Sequence, residues 1–263
     1  MRSKVILTIL VLFFTSTITA QNVKRVSGYF GHKNLLFGGI EGSTSEHPKV
    51  ADPSKAYIPM NINLVLGIKR VISNKKSLAL RVAYASTSSS HGIEILSNDV
   101  SWQENGNTYL ANYSNGRPEI KIFSAGIEYN YFLARYGSLS PFGLYFGIGA
   151  NYHYNRFNLD RVKVFATATN ANNLYLTETY SLAGKSSYSH MPEIFVRYGK
   201  VFPLNKQLLL DVYAKAGFLI SNTNPQLNGT KSDLIMEAAV ASQNFRLTTM
   251  NIINVGIRLN IAL

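Results

Sequence analysis

Residues 141–155 read PFGLYFGIGANYHYN and alternate as a strand does, with a polarity that looks inside out for a water-soluble protein. Phe142, Leu144, Phe146, Ile148, Ala150, Tyr152 and Tyr154 share one face of an extended chain. Gly143, Tyr145, Gly147, Gly149, Asn151, His153 and Asn155 share the other, because side chains along a strand point to opposite faces with period two. In a soluble sandwich the oily face would be core. The charged residues elsewhere in the chain decide otherwise.

The same alternation recurs at 36–42, 58–70, 78–86, 123–133, 193–202, 208–220 and 245–263, which with 141–155 makes eight strands. In the second of them Met60, Ile62, Leu64, Leu66 and Ile68 form an aliphatic face. Opposite the aliphatic faces fall Glu41, Lys69, Arg81, Glu128, Glu193, Arg197, Asp211, Lys215 and Arg258, with His153 beside them near one strand end. Nine ionisable side chains would be ruinous on a lipid-facing surface and odd in one apolar core. They fit the inside of a closed barrel, where they form a charge network by pairing with one another while the aliphatic face meets hydrocarbon. Arg70 and Lys200 fall on the aliphatic face beside short turns, where a long cationic side chain can snorkel to headgroups. Closure follows from the same solvent, since lipid offers no partner to an open sheet edge. Glycines 143, 147 and 149 either leave room for long lumen side chains or let the strand bend.

The connections alternate too. Those at 73–76, 134–140 and 203–205 are short, and 43–57, 87–117, 158–189 and 221–244 are long and polar. The pattern predicts an up-and-down antiparallel meander with short periplasmic turns and long extracellular loops. Trp102, the single tryptophan, is expected in one of those loops. Aromatic girdles at the two interfaces are expected from Tyr131, Phe142, Tyr198 and Phe202 at the short-turn end, and from Tyr84, Tyr152, Tyr154 and Phe245 at the other.

The first residues have the layout of a secretory signal peptide. Arg2 and Lys4 precede a short apolar run, then small polar residues lead to Ala20. The expected organisation is a cleaved signal peptide at 1–20 and one outer-membrane β-barrel domain at 21–263. The exported chain has no cysteine, so its fold uses no disulfide and no lipidated cysteine. Loss of Arg2 and Lys4 lowers the formal charge from +12 to +10. Behind an export signal, with scattered basic residues, this balance points to anionic lipid headgroups and away from nucleic acid.

These features resemble the small eight-stranded outer-membrane barrels of the OmpA and OmpX type, over nearly all of residues 21–263. The resemblance implies an integral outer-membrane barrel acting structurally or through extracellular loops in adhesion or recognition. Eight strands leave an interior wide enough only for side chains, so the lumen is expected to be plugged. The partners expected are outer-membrane lipid and an extracellular or periplasmic protein.

The alternative is a lipid-modifying enzyme, an acyl hydrolase or acyltransferase, on the same barrel. Its best hints are inward His153 with a serine and Glu193 from a neighbouring strand, and Asn112-Tyr113-Ser114-Asn115, which echoes a His-x-Ser-Asn deacylase motif with asparagine in place of the base. His32, His47, His91 and His190 share no metal-ligand spacing, and no catalytic, cofactor or metal site is assigned. A tight turn at Pro203-Leu204-Asn205 predicts Phe202 opposite Lys206, and hence Arg197 opposite Asp211 and Glu193 opposite Lys215.

Overall fold

A computed structural model describes residues 32–44, 60–88, 93–94, 101–104, 106–116, 118–133, 140–169, 175–220, 231–250 and 252–263. The expected signal peptide lies outside the described residues. Eight strands close into a barrel: β1 (Asn34–Thr44), β2 (Met60–Ser73), β3 (Lys76–Ser88), β7 (Glu119–Phe132), β8 (Gly143–Asn158), β11 (Ser186–Pro203), β12 (Leu208–Leu219) and β13 (Ile253–Ala262). Every neighbouring pair is antiparallel, each barrel strand pairs with the next barrel strand along the chain, and β1 closes on β13. The sequence alternation maps directly onto this wall. Leu64 and Ile148 are 57% and 50% exposed on its outside, while Arg197 and Arg258 inside are 1% and 0% exposed.

At the short-turn end the lumen is filled by apolar and aromatic side chains, including Leu35, Phe132, Tyr145, Val201 and Leu209. Above this floor come the ionisable residues, and above them a second apolar layer. Three of the four stretches read from sequence as polar loops supply that layer, and the first, at 43–57, lies almost wholly outside the described residues. The two middle ones fold into a sheet of β4 (Ile93–Glu94), β5 (Ser101–Glu104), β6 (Asn107–Gly116), β9 (Val162–Thr169) and β10 (Tyr175–Ser181). The segment after β12 forms a helix, α1 (Lys231–Met250). Sheet and helix pack together through Trp102, Tyr109, Val164, Leu234, Ile235 and Leu247 onto barrel-mouth residues Ile120, Phe157, Met191 and Leu219.

Four expectations are therefore corrected. The long connections carry structure because alternation is present in them: Val162, Val164, Ala166 and Ala168 point one way and are buried. Trp102 lies in β5 and is buried in the cap core rather than in a loop. The last strand begins at Ile253, and Phe245 lies in α1, because 231–250 is dense in good helix formers that outweigh a brief period-two match. Phe142 packs against the lumen floor instead of joining an outer girdle.

The β11–β12 register also differs. Arg197 faces Lys215, Val201 faces Asp211 and Glu193 faces Leu219. The turn is longer than the three residues expected, because Asn205 Oδ1 accepts hydrogen bonds from Gln207 N and Leu208 N at 2.8 and 2.9 Å and so rounds an extra step. The shift is even, so every side chain keeps its face while its neighbour changes. In a chain without native cysteine, Tyr198→Cys with Ala214→Cys should be joined by a short thiol cross-linker, since those residues are opposed. Preferred joining of Tyr198→Cys to Leu210→Cys would restore the register expected from sequence.

Candidate functional site

The ten inward residues singled out from sequence all point into the lumen and are buried there, in three groups. In the first, Glu41 on β1 and Glu128 on β7 come from well-separated walls and share three guanidinium groups. Glu41 accepts hydrogen bonds from Arg81 at 2.8 Å and from Arg197 and Arg258 at 3.2 Å. Glu128 accepts from Arg197 at 2.6 Å and twice from Arg258 at 3.0 Å, with Arg81 at 3.7 Å. Tyr213 donates its hydroxyl to Glu41 at 2.7 Å and lies 4.0 and 4.6 Å from the guanidinium carbons of Arg197 and Arg258.

In the second group Asp211 meets Lys69 at 3.4 Å and accepts the Tyr145 hydroxyl at 2.9 Å. The third surrounds Glu193, which is held by Lys215 at 3.0 Å, by Asn151, and by His153 Nε2 at 3.0 Å. His153 Nδ1 lies 2.7 Å from Ser124 Oγ. The structure thus joins Glu193 with Lys215 diagonally across the strand pair. It does not join Arg197 with Asp211, whose partners are elsewhere.

Two close approaches explain glycines in this wall. A Cβ at Gly149 would stand 2.3 Å from Phe195 Cζ, and one at Gly217 would stand 2.1 Å from Glu193 Oε1. Of the two roles weighed for the opening strand's glycines, Gly149 serves clearance. Gly143 serves the backbone, with a φ of 95°.

Tyr145, Tyr213, Asn151 and Ser124 complete the network and were not singled out as site residues. Their signal was parity alone: each shares the face of a neighbouring charged or polar lumen residue. The other histidines lie apart. His32 Nδ1 is 2.8 Å from the Leu263 carbonyl, His190 faces outward among Tyr152, Tyr154 and Tyr188, and His47 and His91 lie outside the described residues. Ser114 of the deacylase-like stretch is in β6, opposite Ile93 and Val164. Among the described residues no group of three or more histidine, aspartate or glutamate side chains is gathered as a metal site needs.

This geometry defines a class: a closed eight-stranded antiparallel barrel with a lumen of paired ionisable side chains and a capped mouth. The fold resemblance to small eight-stranded outer-membrane barrels stands in the strand order itself. No protein family matches the chain, and no curated protein matches it. Among solved structures, the chain is similar to Neisserial surface protein A at 9% identity and a TM-score of 0.37, covering 88% of this chain and 96% of that one. The N-terminal β-barrel domain of Pseudomonas aeruginosa OprF gives 6% identity and a TM-score of 0.36, over 88% and 98%. Ail, the attachment invasion locus protein of Yersinia pestis, gives 10% and 0.34, over 88% and 96%.

Because Glu128 is fully buried among guanidinium groups, Glu128→Gln should cost about 3–5 kcal/mol, the scale for leaving confined charges unpaired. A double-mutant cycle on Arg197 and Glu128, read by denaturant unfolding in detergent micelles, should give coupling of about 1–3 kcal/mol. The same cycle on Arg197 and Asp211 should give almost none. Reversed magnitudes would overturn the observed network.

Proposed function

We propose that the protein is an outer-membrane β-barrel that spans the bilayer with its aliphatic face, keeps its lumen closed, and works through the capped end. The observation that carries this is the inversion of polarity. Leu64, Ile148, Val196 and Ile257 stand exposed around the wall while the charged residues are buried inside it. No helix among the described residues is long and apolar enough to cross a membrane, so any spanning by those residues is by strands. The apolar band of such barrels is ~25 Å tall, whereas the eighteen residues of β11 extend ~60 Å before tilt at ~3.3 Å each. Those strands therefore carry the cap well clear of the bilayer.

Closure of the lumen is supported by its layering. An apolar floor, a charged middle and the apolar mouth under α1 follow one another along the axis. The described part of the cap is folded sheet and helix, which suits recognition of an extracellular partner. Excess basic charge suits anionic headgroups at the membrane surface. Short turns then face the periplasm. In intact cells a membrane-impermeant thiol reagent should label Gln103→Cys on β5 and spare Asn205→Cys at the β11–β12 turn. The opposite pattern would reverse the topology. Leu64→Arg or Ile148→Arg should cost roughly 2–4 kcal/mol in folding titrations with lipid vesicles, and cost-free substitution would contradict a lipid-facing wall.

A second reading, a lipid acyl hydrolase, is favoured by the Ser124–His153–Glu193 relay alone. With Nε2–H donated to Glu193, Nδ1 accepts the Ser124 proton, and Oγ attacks an ester carbonyl. His153 returns that proton to the departing alcohol, and water then cleaves the acyl-serine. A fluorophosphonate probe tests it. Labelling of Ser124 that His153→Ala abolishes supports the hydrolase, and an unlabelled Ser124 in the folded barrel excludes it.

A further inference from the structure

Lys231 is the first residue of α1, yet a cation there opposes the partial positive charge of a helix N-terminus. Its position is explained by what surrounds it. The ammonium is hydrogen-bonded to Glu104 on β5 and lies 3.9 Å from Glu178 Oε2 on β10. It stands 4.4 Å from the Tyr180 ring centroid and 5.8 Å from that of Trp102.

The walls of this enclosure hold one another. Tyr109 on β6 stacks on Trp102 with centroids 5.7 Å apart, and Tyr180 meets Trp102 edge-on at 5.3 Å. The Tyr109 hydroxyl donates to Glu178 Oε1 at 2.8 Å, and the Tyr180 hydroxyl donates to the other oxygen. These two bonds hold the Glu178 carboxyl below its ordinary range, so it is a carboxylate at neutral pH. Burial works against the Lys231 charge, but hydrogen bonds to Glu104 and Tyr180 push its pKa up to about 12. Glu104 and Glu178 remain 37% and 40% exposed, within reach of solvent.

We propose that this enclosure is a recognition site for primary alkylammonium groups, which Lys231 fills as an internal competitor. Aromatic faces attract a cation through their quadrupoles, and carboxylates add charge and hydrogen-bond acceptors. Two carboxylates exceed the charge of one ammonium, so the cage stays anionic even when Lys231 is in place. Acceptance of a hydrogen bond by Glu104 selects a primary amine, such as a lysine side chain presented by a partner, over a quaternary headgroup without N–H. The assignment rests on the cap as recognition face, but the test below is done in micelles and does not depend on membrane orientation. Failure of the topology and failure of the cage are thus separate results.

Trp102 is the single tryptophan, so its emission reports the cage directly. Lys231→Ala, folded in detergent micelles, should show a saturable emission change with butylammonium chloride at constant ionic strength. The intact chain should need about tenfold more butylammonium or beyond, because a tethered lysine competes at high effective concentration. Adding Glu104→Gln and Glu178→Gln to Lys231→Ala should abolish the response, and tetramethylammonium should be at least about tenfold weaker than butylammonium. Three results would overturn the site: no saturable change in a folded Lys231→Ala barrel, the same change with potassium chloride or butanol, or equal binding of tetramethylammonium. If Lys231→Ala does not fold, Lys231→Met keeps the stem over the rings without the charge and is read in the same way.

Discussion

Glu41 and Glu128 reach into the lumen from separate walls and hold Arg81, Arg197 and Arg258 between them. The rest of the molecule is arranged around that contact. Charges taken out of water must be paired, so the residues that supply them all face inward, and period two then forces the aliphatic residues outward. A buried ion pair is not in itself strong evidence of stability, because desolvation offsets most of the attraction. Its effect here is on register. A slip of a strand by one residue would turn its charged side chain onto the outside, and a slip of two would part it from its partners.

Beyond this centre the lumen is built in layers. Tyr145 ties the apolar floor to Asp211, and Glu193 ties the charged middle to the polar step of Asn151, His153 and Ser124. Above, Ser189 bridges the Asn155 amide to Asn244 of α1, so the helix is hydrogen-bonded to the barrel rim as well as packed on it. Barrel and cap are joined along this line.

Much of the barrel was legible because a wall of inverted polarity leaves a strong signature. Alternation at Phe142 to Tyr154 or Met60 to Ile68 needs no knowledge of neighbours, and charged residues of one parity name the inside. Partnership was less legible. Arg197 was assigned to Asp211 by counting from a tight turn, and one side-chain cap at Asn205 lengthened that turn and moved the register. Salt bridges in a lumen also cross the axis, as Arg197 does to Glu128, and strand-to-strand counting cannot find such contacts. The cap was missed for another reason. Trp102, Glu104, Tyr109, Glu178 and Tyr180 come from short strands set in polar sequence, and Lys231 from a helix whose apolar face is shared with that sheet. None of these segments has a face that stands alone.

The inside-out wall is tested most directly by methyl-resolved NMR of the protein in micelles carrying a nitroxide at the end of the lipid chain. Methyl signals of Leu64, Ile148, Val196 and Ile257 should broaden strongly, while those of Leu35, Val201 and Leu209 inside the barrel should stay sharp. Broadening of the second set with sparing of the first would contradict the assignment of the aliphatic face to lipid.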